Sequence, residues 1–272
     1  MESICFLRRK SKLLKFIFKG FVELTGNRMM SKILIQVTRF KLSKQFIILF
    51  SRVYKINRYE MALSIKDYNS LHEFFTRLLK SDVRIVDQSE DTIVSPVDSV
   101  VTQFGLIKDV EKLNIKKKDI DLVEMLGSEE KAEKYKNGKY IIFYLSPQHY
   151  HRIHSPFEGE IKEIYSLGGK SYPVNKLGLK YGKRPLSTNF RRITELKTDL
   201  GDIAIVKVGA LNVNSIHITT EKNKVERGEE IAYFSFGSTV ILLIENPKLE
   251  FSDHITKNQE IKFGEKVLEL SK

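Results

Sequence analysis

Two short patterns occur twice in this chain, and they restrict its fold more than any other feature. Ser95-Pro96-Val97-Asp98-Ser99-Val100-Val101 is matched by Ser155-Pro156-Phe157-Glu158-Gly159-Glu160-Ile161. Gly228-Glu229-Glu230-Ile231-Ala232-Tyr233-Phe234 is matched by Gly264-Glu265-Lys266-Val267-Leu268-Glu269-Leu270. Each unit reads as a turn followed by a strand. Turn-plus-strand units repeated this way predict a compact antiparallel β-barrel or sandwich with quasi-symmetric halves.

The chain before these repeats has another period. In residues 8–24, Lys12, Lys15 and Lys19 fall on one helical face, and Leu13, Ile17, Phe21 and Leu24 on another. Such a helix suits the interface of an anionic membrane; an ordinary core-facing helix with a solvated lysine face explains the pattern equally well. Residues 29–56 continue in the same style, so two or three amphipathic helices are expected before residue 60. Ser70, with Glu73 three residues on, forms a capping-box pattern for a helix over 71–79. A soft boundary falls near residue 90, giving a helical membrane-associating region, 1–90, and a β-rich region, 91–272. The fold class expected is therefore α+β. Residues 109–136 read as a charged, helix-prone insertion. Residues 168–192 read as a long, mobile basic loop, and 202–220 as alternating strand.

The net charge of the 272-residue chain is +12, which favours an anionic partner. The charge is spread along the chain and no nucleic-acid-binding motif accompanies it, so an acidic membrane surface is the expected partner and nucleic acid is not. No apolar run approaches the ~20 residues that span a bilayer. The basic N-terminus lacks the apolar core and cleavage site of a secretory signal. The single cysteine, Cys5, rules out an intramolecular disulfide framework.

Two places offer chemistry. Gly237-Ser238-Thr239 lies between the strand-like runs Tyr233–Phe236 and Val240–Ile244. Glycine there lets a group approach the backbone, and Ser238 then offers a hydroxyl where water is scarce. Taken alone, the tripeptide reads as a β-bulge carrying a hydrogen-bonded serine. The stretch 146–156 holds His149, His151 and His154. A zinc site would want further ligands at matching spacing, and no metal is assigned. A histidine acting as general base needs a carboxylate and a hydroxyl in reach. Asp98 is a candidate for the first, though it also suits a plain Asx-turn, and Ser238 is a candidate for the second.

Taken together, Ser95–Asp98 (SPVD), Tyr150–Pro156 (YHRIHSP), Val208–Ala210 (VGA) and Phe236–Ile241 (FGSTVI) resemble the phosphatidylserine decarboxylase family. Tyr68, Leu71, Phe74, Phe75, Arg77, Leu79 and Lys80 extend the resemblance into the N-terminal half. The resemblance implies a pyruvoyl-dependent enzyme that cuts itself. Asp98 would orient His154, His154 would take the proton of Ser238, and Ser238 would attack the carbonyl of Gly237. Cleavage would yield a β chain, 1–237, and an α chain, 238–272, whose N-terminal Ser238 becomes the pyruvoyl group (covalent pyruvate). That ketone would form a Schiff base with the amine of phosphatidylserine, release carbon dioxide and leave phosphatidylethanolamine. His151 is a candidate for proton transfer in this second reaction, with packing or phosphate contact as the other reading. Lys and Arg of the 168–192 loop would sit near the phosphate. The enzyme would be peripheral on the cytoplasmic face of the cell membrane, with a homodimer as a further expectation. The β region also shares the flavour of biotinyl/lipoyl-type and phosphocarrier hybrid barrels.

The chain departs from the family pattern at three places. Ser99 replaces the glycine of the PVDG turn, Asn189-Phe190-Arg191 replaces Asn-Glu-Arg, and Asn214 stands where glycine often follows VGA. Four other activities remain: a related decarboxylase for another seryl substrate, a non-cleaving membrane-binding module, a carrier, or a serine hydrolase using Asp98, His154 and Ser238. The carrier lacks a modifiable lysine tip, and the hydrolase lacks a G-x-S-x-G elbow.

Overall fold

A computed structural model of the protein describes residues 36–110, 113–115, 118–169, 174, 184–210, 215–235 and 238–271. Cys5, the amphipathic stretch 8–24, residues 170–173 and 175–183 of the basic loop, Asn214 and Gly237 lie outside the described residues.

A 3-10 turn, Lys41–Phe46, runs into helix α1, Ile47–Val53, and the chain then reaches α2, Leu71–Phe75. Ser70 caps α2 by accepting from Glu73 N at 3.1 Å, while the Glu73 carboxylate accepts from Asn69 N at 2.7 Å. The helix is shorter than the 71–79 expected, for a tertiary reason. Residues 78–80 are drawn into pairing with the strand-like turn at 60–62, through Ala62 N to Leu78 O and Lys80 N to Glu60 O, both 2.9 Å. That competing pairing outweighs the helical propensity of the segment. Ile47, Phe50, Ile56, Met61, Tyr68, Phe74 and Phe75 make a small core of their own.

The strands follow: β1 Thr92–Val94, β2 Ser99–Leu106, β3 Leu113–Ile115, β4 Lys118–Ile120, β5 Lys139–Leu145, β6 Arg152–His154, β7 Gly159–Leu167, β8 Arg191–Lys197 and β9 Ile203–Gly209. After them come β10 Ile216–Ile218, β11 Lys224–Val225, β12 Glu230–Phe234, β13 Ser238–Ile244, β14 Leu249–Phe251, β15 Glu260–Ile261 and β16 Lys266–Leu270. Two short helices, α3 Leu122–Leu126 and α4 Glu129–Glu133, follow the β3–β4 hairpin, and α5, Pro185–Thr188, precedes β8.

The fold is α+β, with antiparallel pairing throughout the sheets. The largest sheet runs β11-β7-β8-β9-β13-β5-β2-β15, and three-stranded sheets β10-β12-β6 and β1-β16-β14 accompany it. The large sheet is open, so no closed barrel forms; its edges are two-residue strands, the short kind that resist edge-to-edge association. On β13, Val240, Leu242 and Ile244 enter the core shared with the small sheets, while Ile241 and Leu243 enter a second core against α3 and α4. This explains why β13 reads as an unbroken apolar run: both faces are buried.

The sequence repeats meet in space. Ser95 N donates to Glu265 O and Gly264 N to Ser95 O; Ser155 N donates to Glu229 O and Gly228 N to Ser155 O. The two turns also cross-bond, Val94 N to Pro156 O at 3.0 Å and His154 N to Pro96 O at 2.9 Å. The repeated acids match as well, since Asp98 pairs with Arg84 and Glu158 with Arg227. Both repeat glycines are left-handed, Gly228 at φ 80° and Gly264 at φ 88°. A Cβ on Gly264 would stand 2.8 Å from Ile85 O. Gly264→Ala is therefore expected to cost about 1–3 kcal/mol. A urea midpoint equal to wild type would contradict this.

Candidate active site

Ser238 opens β13 at its junction with residues outside the described set, and lies opposite Leu145 on β5 and Gly209 on β9. The VGA motif is thus the strand directly beside the serine. Asn189 Nδ2 holds the Gly209 carbonyl at 2.9 Å, and Gly209 N donates to Phe190 O at 2.9 Å. Arg191 serves the carbonyls of Met125, Asn189 and Glu124. The Asn-Phe-Arg segment therefore braces the strand next to Ser238. The Ser238 side chain is fully buried, and its Oγ has no hydrogen-bond partner among the described residues. Ser99, Ser215 and Ser252 share that state. Ser238 differs from them in following the Gly237 carbonyl at the head of the central strand.

His151 and His154 sit on or beside β6, which pairs with β12, the strand leading toward Ser238. The His151 carbonyl accepts from Phe234 N at 2.9 Å. The ring of His151 is fully buried and lies 4.1 Å, centroid to centroid, from that of Phe75 on α2. Its Nδ1 is 2.9 Å from His149 O. A carbonyl only accepts, so Nδ1 carries the proton and Nε2 keeps its lone pair. Arg77 Nη2 donates to the same carbonyl at 3.1 Å and to Gln148 O at 2.9 Å. Burial, and after it the Arg77 charge, push His151 well below the ordinary histidine range.

His154 repeats the arrangement. Its Nδ1 is 2.8 Å from Gly228 O, which fixes the same tautomer. The ring stacks on Phe263, with centroids 3.9 Å apart and planes 4° from parallel. Burial lowers its pKa, while the Gly228 carbonyl, Glu230 and Asp98 pull it back up. The Nε2 atoms of both histidines are buried and without a hydrogen-bond partner among the described residues.

Asp98 reaches His154 indirectly. Arg84 Nε donates to Asp98 Oδ1 at 3.0 Å, and Arg84 Nη2 binds both Asp98 Oδ2 at 2.5 Å and Glu60 Oε2 at 2.7 Å. Oδ1 also accepts from Phe263 N at 2.9 Å, so Asp98 anchors the residue on which His154 stacks. No hydrogen bond joins Ser238, His154 and Asp98 into a relay among the described residues. Among those residues no group of three His, Cys, Asp or Glu side chains is placed to hold a metal ion.

Arg84 and Phe263 escape notice in the sequence, and Arg77 and Gly228, though part of the patterns noted there, show no sign of their place at the site. Phe263 and Gly228 meet His154 only through strand pairing. Arg77 and Arg84 stand in stretches whose helical or extended pattern does not show what they touch.

Burial has a further consequence. His72, His149, His151, His154 and His217 all have lowered pKa values, His72 to about 4, and desolvation is the largest cause for each. The unfolded chain, titrating near 6.5, takes up these protons before the folded one. Stability should be full above that pH and fall as pH drops through the window below it. Urea midpoints at pH 8 and pH 5 test this; equal values would refute it.

The comparisons with known proteins bear on the same residues. A family model described as phosphatidylserine decarboxylase matches residues 71–269, a span that contains Asp98, His151, His154 and Ser238. A phosphatidylserine decarboxylase proenzyme from Anoxybacillus flavithermus is 49% identical over 255 residues, covering 94% of this chain and 96% of the relative. Proenzymes of the same description from a Geobacillus species and Bacillus thuringiensis are each 46% identical, covering 94% and 92% of this chain and 98% and 96% of their own lengths. With near full-length agreement in both directions, and the buried serine and histidines inside the matched span, the chain belongs to the phosphatidylserine decarboxylase family.

Proposed function

We propose that this chain is the proenzyme of a phosphatidylserine decarboxylase, which cuts itself between Gly237 and Ser238 and then converts phosphatidylserine to phosphatidylethanolamine. The observation that carries the reading is Ser238 itself, which follows Gly237 at the head of the central strand with a buried hydroxyl that has no hydrogen-bond partner among the described residues. Leaving such a hydroxyl unsatisfied costs about 1–3 kcal/mol; Ser99, Ser215 and Ser252 carry the same cost, but of these four only Ser238 follows a glycine carbonyl at the head of the central strand. Two buried histidines whose Nε2 atoms have no partner among the described residues are the candidate bases.

In the cleavage, His154 takes the Ser238 proton as Oγ bonds to the Gly237 carbonyl carbon. The amide C–N bond breaks, its nitrogen gains a proton, and an ester remains. Loss of the Ser238 Cα proton expels the Gly237 carboxylate and leaves an α,β-unsaturated amine. Tautomerisation and attack by water release ammonia and leave a ketone at residue 238. Asp98 positions His154 through Phe263 and through its charge. A hydrolase triad would instead need a carboxylate on His154 Nδ1, where the Gly228 carbonyl stands. The residues fit a pyruvoyl group at 238: the position is buried and bounded by Leu145 and Gly209. Such a group supplies an electron sink for the amine of the substrate as carbon dioxide leaves. His151, held by Arg77 through His149 O, returns the proton to the substrate carbon.

The helical region, 1–90, is the membrane-associating part and 91–272 the catalytic part. Val37, Phe40, Leu42, Phe46 and Ile48 expose large apolar surface near the first described residues, and this supports peripheral attachment to the cytoplasmic face. No described helix is long and apolar enough to cross a membrane. The bonded repeats support kinship with the carrier-type hybrid barrels in local design, and self-association as a homodimer is part of the same reading. Intact mass of the purified protein tests the core claim. Two chains split after Gly237, the smaller one pyruvoyl-blocked, are expected, with carbon dioxide released from phosphatidylserine; a whole chain after incubation with membranes would reject it.

A further inference from the structure

Ser235, three residues before Ser238, carries a contact that the cleavage does not use. Its Oγ lies 2.7 Å from His217 Nε2 on β10 and 3.3 Å from His72 Nε2 on α2. His72 and Phe75 stand three apart on α2 and share a face, so the helix that packs on His151 also reaches the segment entering the cleavage site. Arg39 acts electrostatically on both His72 and His217, and Arg192 acts on His217. On the large sheet, Arg192 and Lys207 are directly paired, Val240 completes their row, and Ser238 lies two residues along the same face of β13.

The two arginines of this group lack counter-charges among the described residues, and the two histidines are neutral. Among the described residues, Arg39 and Arg192 form no ion pair, and Arg192 Nε is buried without a hydrogen-bond partner. Arg84, Arg152 and Arg227 are by contrast bound to carboxylates, and Arg77 and Arg191 to carbonyls. Glu73 is the acid that acts on His72, and its carboxylate already accepts from Asn69 N. Lys207, fully buried on Thr194 Oγ1 at 2.6 Å, is pushed down to about 7 by burial and then by Arg192. Two unpaired arginines with neutral histidines, Arg192 lying on the sheet face that carries Ser238, are set to receive an anion.

We propose that Arg39, His72, Arg192 and His217 form the subsite that receives the phosphodiester of the aminophospholipid, holding its serine end toward residue 238. This rests on the decarboxylase reading above and specifies which residues select its substrate. The substrate also has a carboxylate, but cations on the departing carboxylate would stabilise the ground state more than the transition state, whose charge is moving away. The phosphodiester keeps its charge throughout, so the cluster suits it. Arg39 precedes the exposed Phe40 and Leu42, which places the phosphate side of the subsite toward the proposed membrane face.

The test separates this proposal from its parent. The uncleavable Ser238→Ala chain is titrated with dihexanoyl phosphatidylserine below its micelle concentration, and with dihexanoylglycerol as a phosphate-free control. Adding Arg192→Gln should weaken phosphatidylserine binding roughly tenfold or more, leave the control unchanged, and abolish competition by inorganic phosphate. In the cleavable chain, Arg192→Gln or His217→Gln should raise KM by a similar factor while kcat falls far less and cleavage after Gly237 stays complete. Arg192→Lys should recover part of the loss. Complete cleavage also shows that the variants fold. Affinity and KM within twofold of the parent, or a loss confined to anionic vesicles, would overturn the subsite. Failure of the otherwise unsubstituted chain to cleave or decarboxylate would instead reject the parent reading, while the titration still decides the subsite.

Discussion

A Ser238→Ala chain is expected to remain one polypeptide and release no carbon dioxide from phosphatidylserine. Among the described residues no other hydroxyl stands at the head of β13 on the face of Val240, and Thr239 points to the opposite face by strand alternation. The substitution removes one buried, unpartnered oxygen, so the folded chain should be as stable as wild type or slightly more so. Mass spectrometry and a urea midpoint on the same sample separate loss of chemistry from loss of fold. The two histidines then divide the reaction. His154→Gln should slow cleavage about 10²–10⁴-fold, the range for loss of a general base. His151→Gln should cleave normally and lose turnover. If His151→Gln stays whole while His154→Gln is cut, the roles assigned to the two rings are reversed. Because burial holds both rings in the neutral, basic form, cleavage should persist below pH 6.5 and fail only as the lowered pKa of His154 is passed.

Arg84→Met should have the largest effect on stability, about 3–5 kcal/mol. The guanidinium is 5% exposed and bridges Asp98 and Glu60. Removing it leaves two carboxylates facing each other with little water to screen them. Arg184→Met is the control, since its half-exposed pairs with Asp121 and Glu124 should be worth at most ~1 kcal/mol. Arg84→Met should also slow cleavage, because Asp98 holds the Phe263 backbone on which His154 stacks. Equal urea midpoints for the two variants would show that the triad contributes no more than a surface pair.

The sequence by itself determined the class of this protein and named the candidate residues of its site. The SP and GE repeats announced an antiparallel β region because turn chemistry and alternation are local properties, and the structure bonds those repeats to one another. Ser70 announced the start of α2 for the same reason. Ser238, His151, His154 and Asp98 were legible as residue types in a recognisable order. Their partners were not. Gly228 O fixes the tautomer of His154 across 74 residues, Arg84 claims Asp98, and Phe263 couples that carboxylate to the imidazole. The early end of α2 and the open edges of the sheet also depend on pairing between distant segments. Such contacts arise from strand register and burial, which depend on the whole chain at once, whereas periodicity and capping depend on a few neighbouring residues.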